Sequence, residues 1–319
     1  MENSLAPEFQ FIRNYIKRLA GKGALDLTDD AALLSVDPAY ELVLTADAMV
    51  ENVHFFTSDP VDFIAQKLLR CNLSDLAGMG AEPVGYLLTV SLPKHCFNPK
   101  WFEQFTNGLA KDQKLFNISL LGGDTTYNPH NMVFSLTALG KVKKNKALRR
   151  NNAKVGDGIW VTGTIGDAAL GLLALQNEIN DVDDFLTQRY HLPQPRLGLQ
   201  LIDIANAGMD ISDGLIQDLG HLTRESQLGA IIFADQVPLS NQAKQLGSAY
   251  LETCLTGGDD YELLLTIPKE KEDQAIIESK RANIRLTKIG YCTGKRNSLI
   301  CYDKDKNIMN FKQTGWSHI

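Results

Sequence analysis

Aspartate recurs in this 319-residue chain where runs of apolar residues give out. Asp29 and Asp30 precede the run AALLSV; Asp47 closes ELVLTAD; Asp75 lies in NLSDLAGMGA; Asp124 follows LLGG; Asp210 and Asp213 bracket DISDG; Asp259 and Asp260 follow TGG. One aspartate in such a place is most simply a helix cap or a turn former. A series of them is a stronger constraint. A carboxylate at the end of a buried strand is costly unless it is paired or bound to a cation. Two like charges about 4 Å apart repel by roughly 4 kcal/mol at an effective dielectric near 20. Several carboxylates facing a polyphosphate therefore require divalent cations between them. Mg²⁺ is the simplest choice, because it takes carboxylate, carbonyl and water oxygens and joins protein carboxylates to substrate phosphates. Arg149 and Arg150 are available to meet a phosphate.

Other chemistries are poorly served. Lys and Arg number 32 against 38 Asp and Glu, a net charge of −6, which argues against a nucleic-acid partner. No apolar run approaches the ~20 residues that span a bilayer, and MENSLAPEFQ lacks a signal-peptide core. The five cysteines form no CxxC pair and read as reduced thiols of a cytoplasmic protein. There is no G-x-x-x-x-G-K-[ST], no protein-kinase signature, no G-x-S-x-G and no H-E-x-x-H. VTGTIGD (161–167) lacks dinucleotide-loop spacing and reads first as a structural turn.

Apolar periodicity predicts a helix over 7–20, strands at 32–36 and 41–47, and a helix opened by Asp59-Pro60 with Val61, Ile64, Leu68, Leu69, Leu73 and Leu76 inward. It continues with a strand at 84–92, a helix from Pro99, and strands at 118–121 and 132–139. The polar, basic stretch KVKKNKALRRNNAKVGD (141–157) marks a domain boundary, giving domains at 1–143 and 150–319. Beyond it the pattern predicts strands at 158–162, 261–267 and 286–291, with helices at 166–175, 195–207, 214–225 and 268–280. The alternation implies two α/β or α+β domains.

The strings DDAALL, LTAD, NVHF, NLSDLAGMGAEP, LLGGDTT, VTGTIGD, DISDGLIQDLGH and GGDDYELL occur in one order over almost the whole chain. Together they resemble the thiamine-monophosphate kinase family, within the ATP-binding superfamily typified by aminoimidazole ribonucleotide synthetase. The resemblance implies a two-domain fold whose N-terminal sheet pairs across a homodimer, with a C-terminal α/β domain. It implies transfer of the γ-phosphoryl group of ATP to thiamine monophosphate, with metal ions between the phosphates and the aspartates.

Matched string by string, the resemblance makes Asp30, Thr45, Ala46, Asp47, Asp75, Asp124, Asp210 and Asp213 the metal ligands. Ala46 can offer only its backbone carbonyl. Gly123, Asp124, Arg150 (with Arg149 its neighbour) and Ser212 are the expected ATP contacts, and His54, Asp259 and Trp316 the expected thiamine-phosphate contacts. Asp259 stands where family members often carry glutamate, and its reach is one methylene shorter. The Trp316 face suits a cationic thiazolium; a packed His54 and a tail-anchoring Trp316 are the plainer alternatives. A phosphate monoester is largely dianionic at neutral pH, so the attacking oxygen needs no strong base, and positioning with charge neutralisation carries the chemistry. No catalytic side chain is therefore expected. The competing readings are a sibling ATP-dependent synthetase and a non-catalytic magnesium–nucleotide sensor.

Overall fold

In the computed structural model, which describes residue 10 and residues 12–317, the first strand, β1 (Tyr40–Val50), alternates its side chains between two environments. Val43 and Met49 are buried, whereas Leu42, Leu44, Ala46 and Ala48 are exposed. This period of two belongs to a strand covered on one face only. With β2 (Glu82–Leu92), β3 (Leu120–Tyr127) and β4 (Val133–Lys143) it forms a four-stranded sheet ordered β1-β4-β2-β3. β1–β4 and β4–β2 are antiparallel and β2–β3 is parallel.

Two helices cover the inner face. α1 (Val61–Gly78) buries Ile64, Leu68, Leu69, Leu73 and Leu76. α2 (Pro99–Phe116) is capped by Asn98, whose side chain accepts the Trp101 N–H at 3.0 Å, and Pro99 takes the first turn, where its missing N–H costs nothing. Trp101 and Phe105 stack on Phe134 of β4. The helices cross closely at Gly108, where a Cβ would come within 2.3 Å of the Asp62 carbonyl oxygen. Arg70 of α1 and Asp112 of α2 form a buried two-pronged pair at 2.6 and 2.9 Å.

This first unit comprises Met1–Leu76 and Ala81–Lys144; the second comprises Ala77–Gly80 and Asn145–Ile319. The second is built on a six-stranded sheet ordered β10-β7-β9-β5-β8-β6, with β5 (Gly158–Thr162), β6 (Ala207–Ile211), β7 (Gly229–Phe233), β8 (Glu262–Ile267), β9 (Leu286–Thr293) and β10 (Leu299–Tyr302). Both of its faces are packed, which is why its strands read as continuous apolar runs. Ile159, Val161 and Leu264 join a core with Leu215, Leu219 and Leu222 of α5 (Leu215–Glu225). Trp160, Leu263 and Leu265 join another with Ala275 of α8 (Glu272–Ala282). α3 (Asp167–Leu175), α4 (Phe185–His191), α6 (Asn241–Leu246) and α7 (Leu251–Thr256) complete the unit. The result is mixed α/β in two domains, as the alternation implies.

Two expected elements are absent. Residues 32–36 form no strand: β1 pairs only with β4, the run does not join its free edge, and Leu33 is 69% exposed. Residues 195–206 are irregular, because Gly198 (φ 83°) and Asp203 (φ 66°) adopt left-handed backbone that a helix excludes, although Leu199, Leu201 and Ala205 still enter the core. The start of the expected helix over 7–20 lies outside the described residues; Ile12–Ile16 is a π-helical turn and Lys17–Leu19 a 3₁₀ turn. Among the described residues no helix is long and apolar enough to cross a membrane.

Asp112→Ala would leave the Arg70 guanidinium buried without its carboxylate. The expected loss is about 3–5 kcal/mol of unfolding free energy, read by urea denaturation. A loss below about 1 kcal/mol would show that the pair does not hold α1 to α2.

Candidate functional site

Each unit carries its own carboxylate group. In the first, strand alternation turns Thr45 and Asp47 to the inner side of β1, toward Asp75 on α1. Thr45 Oγ1 donates to Asp75 Oδ2 at 2.5 Å. Burial, with the Asp75 charge second, pushes the Asp47 carboxyl up to about 6. Ala46, between them, faces the opposite, exposed side. β1 and β3 run longer than the apolar runs suggest, so Asp47 and Asp124 sit within strands rather than at their ends. Asp124 is exposed and accepts the Thr125 N–H at 2.9 Å. Beside it, a Cβ on Gly123 would lie 1.8 Å from the Leu88 carbonyl oxygen, so this strand approach admits only glycine. Asp30 is exposed in an irregular segment. His54 Nδ1 accepts the Val50 N–H at 3.0 Å, which puts the proton of a neutral ring on Nε2.

In the second unit β6 delivers buried Asp210, and the chain turns through Ser212–Gly214 into α5. Asp218, in the first turn of α5, clamps that turn: its Oδ2 accepts the N–H groups of Ser212, Asp213 and Gly214 at 3.1, 3.0 and 3.1 Å. Burial and then the Asp213 charge push the Asp218 carboxyl up to about 7, against the pull of those three donors. Ligand atoms of Asp213, Asp218 and His221 lie within 4.8 Å of one another. Burial first, then Arg224 and Arg150, push His221 down, while Asp213 works the other way. Exposed Arg150 therefore shares the electrostatic neighbourhood of Asp213. Arg149 is exposed beside it.

The GGDDYE loop is tied to the same turn. Asp259 (φ 67°) donates its N–H to the Ser212 carbonyl, and Tyr261 (φ 50°) to that of Ile211, both at 2.8 Å. A Cβ on Gly258 would meet the Ser212 oxygen at 2.4 Å. The Tyr261 hydroxyl donates to Asp259 Oδ1 at 3.2 Å. From the tail, the Trp316 N–H donates to the Asp213 carbonyl at 2.9 Å. Asp210, Ser212, Asp213, Asp259 and Trp316 are thus gathered by backbone bonds around one turn, and His54 belongs to the first unit. The VTGTIGD turn is structural: both oxygens of fully buried Asp260 accept the Gly166 N–H, at 2.9 and 3.0 Å.

Sequence reasoning did not single out Asp218, His221 or Gln217, although all three stand in DISDGLIQDLGH. The available signal was an aspartate one turn into a helix after an Asp-Gly turn, where it can reach back to orphan amides.

Hard oxygen donors fit magnesium here. Asp47 and Asp75 are like charges at close quarters, with Asp47 already pushed toward protonation, and a cation would relieve both the burial and the repulsion. Asp210 and Asp213 offer the same donor type in the second unit.

Residues 28–142 match the family model "AIR synthase related protein, N-terminal domain", and residues 154–301 match "AIR synthase related protein, C-terminal domain". The thiamine-monophosphate kinase of Haemophilus influenzae is 39% identical over 91% of this chain and 89% of its own. The crystal structure of the thiamine-monophosphate kinase of Stenotrophomonas maltophilia K279a is 36% identical, with a TM-score of 0.82 over 93% of this chain and 96% of that one. AaThiL complexed with AMPPCP and TMP is 29% identical, with a TM-score of 0.78 over 91% of both chains. The chain belongs to the AIR synthase related family, in its thiamine-monophosphate kinase branch.

Proposed function

We propose that the protein transfers the γ-phosphoryl group of ATP to the phosphate of thiamine monophosphate, giving thiamine diphosphate and ADP. The relationship to thiamine-monophosphate kinases over nine-tenths of both chains carries this reading, and the AaThiL complex with AMPPCP and TMP supports it. The acceptor phosphate is largely dianionic at neutral pH and attacks without a strong base. The work left to the protein is to bind, align and neutralise.

The first unit is read as the nucleotide, metal and dimerisation domain. Asp30, Asp47, Asp75 and Asp124 would hold magnesium there with the Thr45 hydroxyl and the Ala46 carbonyl; Asp210 and Asp213 would do so in the second unit. Bound magnesium supplies charge neutralisation for the phosphate oxygens. Gly123 lets the backbone approach the nucleotide, and Arg150 and the Ser212 hydroxyl are its phosphate contacts. His54 Nε2–H, the Asp259 carboxylate and the Trp316 face are assigned to thiamine monophosphate. The shorter Asp259 is steadied by the Tyr261 hydroxyl. The five cysteines, all free and buried, suit a reducing cytoplasm.

The outer face of the first sheet exposes Leu42, Leu44 and Leu87, and the 32–36 run adds Leu33. A one-sided sheet with an open edge and exposed leucines needs a cover, and the reading supplies it with a second copy. Sedimentation should give a species of twice 35.3 kDa. Leu44→Asp should shift it to monomer, and a wild-type monomer at micromolar concentration would end the dimer assignment.

With ATP, Mg²⁺ and thiamine monophosphate, the protein should form thiamine diphosphate, detectable by fluorescence after oxidation. Chelation should abolish turnover and added Mg²⁺ restore it. Absence of product under these conditions would refute the reading.

Asp47→Asn should cut turnover at least about a hundredfold without lowering the melting temperature of the metal-free protein. The sign follows from linkage: the folded carboxyl titrates near 6 against 3.8 in the reference state, so its ionisation lowers stability as pH rises between those values. Metal-free wild type should therefore lose melting temperature relative to the variant as pH goes from about 4 to 7. Parallel melting curves would place Asp47 in an unstrained environment.

A further inference from the structure

Past β10 the described residues, 303–317, form no regular strand or helix, yet they return to the acid-bearing turn. The Trp316 N–H reaches the Asp213 carbonyl at 2.9 Å. A second tie comes from a side chain outside the assigned site. Gln217, half-buried in the first turn of α5, donates its Nε2 amide to the Trp316 carbonyl at 2.6 Å and to Asp213 Oδ2 at 3.2 Å. Gly315 makes the approach possible: a Cβ there would lie 2.5 Å from Gln217 Cβ and 2.7 Å from the Asp213 carbonyl oxygen. Both backbone polar groups of Trp316 are thus held, the N–H by the backbone of Asp213 and the carbonyl by Gln217.

The chemistry of position 217 is restrictive. The group must donate twice, once to a peptide carbonyl and once to a carboxylate, and a primary amide carries two hydrogens on one nitrogen. An ammonium could donate as often, but it would set a fixed positive charge against Asp213, where a divalent cation is assigned. A carboxylate could donate to neither partner and would add repulsion. Alanine would leave the Trp316 carbonyl to water.

We infer that Gln217 is a positioning residue for the acceptor substrate: it docks the tail backbone on the Asp213 turn, so that the Trp316 indole stands where the acceptor's aromatic, cationic part can stack on it. This rests on the functional reading above and adds to it a side chain that governs one substrate and not the other. Because the tail it docks carries the acceptor contact, the loss of Gln217 is expected to weigh on acceptor binding more than on ATP binding.

The full-length protein tests this with Gln217→Ala, Gln217→Glu, Trp316→Ala and the Ala–Ala double variant. Gln217→Ala should raise KM for thiamine monophosphate roughly tenfold, the order expected for losing one or two net hydrogen bonds. Its kcat and its KM for ATP should stay within about twofold. Gln217→Glu should raise the acceptor KM further. Trp316→Ala added to Gln217→Ala should cost little more than either change alone, because both act through one indole. Hydrogen exchange of the substrate-free protein gives a readout without activity: amides around 316 should exchange at least about tenfold faster in Gln217→Ala, with α5 protection unchanged.

An unchanged acceptor KM in an active Gln217→Ala protein overturns the inference, as do multiplicative KM effects in the double variant or unaltered exchange at the tail. Equal rises in both KM values would make Gln217 a general support of the turn and would overturn it too. A wild-type protein inert toward thiamine monophosphate would remove the functional reading and this assignment together, so the two failures are distinguishable.

Discussion

The carboxylate of Asp218 receives three successive backbone N–H groups, from Ser212, Asp213 and Gly214, and the second unit's site is shaped by that contact. Those amides open a helix and have no intrahelical partners. One oxygen satisfies all three and so fixes the backbone of the DISDG turn. Three backbone ties start from this turn and the strand end before it: the Ser212 carbonyl takes Asp259, the Ile211 carbonyl takes Tyr261, and the Asp213 carbonyl takes Trp316. The arrangement is strained electrostatically, since Asp218 is buried beside Asp213 and its carboxyl is pushed up to about 7. A cation on Asp213 would cancel the part of that strain due to Asp213 and leave the three amide bonds in place.

Buried acids elsewhere in the same unit are tied to internal partners, although burial pushes Asp167 and Asp260 up as well. Glu262 is fully buried with the guanidinium groups of Arg189 and Arg196, and it also accepts the Thr162 hydroxyl at 2.7 Å. Asp167 accepts the Thr164 hydroxyl at 2.5 Å, and Asp260 takes the Gly166 amide on both oxygens. These groups hold the start of β8 to the turn between β5 and α3. Arg189 and Arg196 supply the internal cations that a buried charge such as Glu262 requires. In the first unit Asp75 takes the Thr45 hydroxyl, and Asp47 beside it is pushed up by burial and by the Asp75 charge. Perturbed acids near an exposed sheet edge are the pattern expected of a ligand site.

Local chemistry explains what could be read in advance. Asn98-Pro99 announces a helix because a polar residue and a proline satisfy a helix start from within four residues, and Asp59-Pro60 directly precedes another. The helix expected after Asp59-Pro60 carries Asp75, and the helix expected over 214–225 leaves Asp213 in the turn before it, but the strand that bears Asp210 was not expected. Periodicity failed where the outcome depends on distant partners. AALLSV has strand composition, yet it does not join the free edge of β1. Residues 195–206 have helical spacing, but left-handed positions at Gly198 and Asp203 break it while the core still takes their leucines. Gln217 and Asp218 were not legible as a clamp, since their partners are a tail ninety-nine residues away and amides counted from the turn geometry.

Strand alternation also decides how β1 can serve a cation. Thr45 and Asp47 face α1, and their side chains are already committed to the Asp75 neighbourhood. A side chain at 46 points to the opposite face of the sheet, whatever residue stands there. A hydroxyl at 46 could not join Asp47 and Asp75 around one ion without a one-residue slip of β1, and that slip would bring Leu42 and Leu44 inward and turn Val43 and Met49 out. The eleven-residue register with β4 forbids it. The oxygen left to position 46 is then its peptide carbonyl, which alanine supplies as well as threonine or serine. On the proposed reading, alanine at this position therefore leaves the donor set of β1 intact.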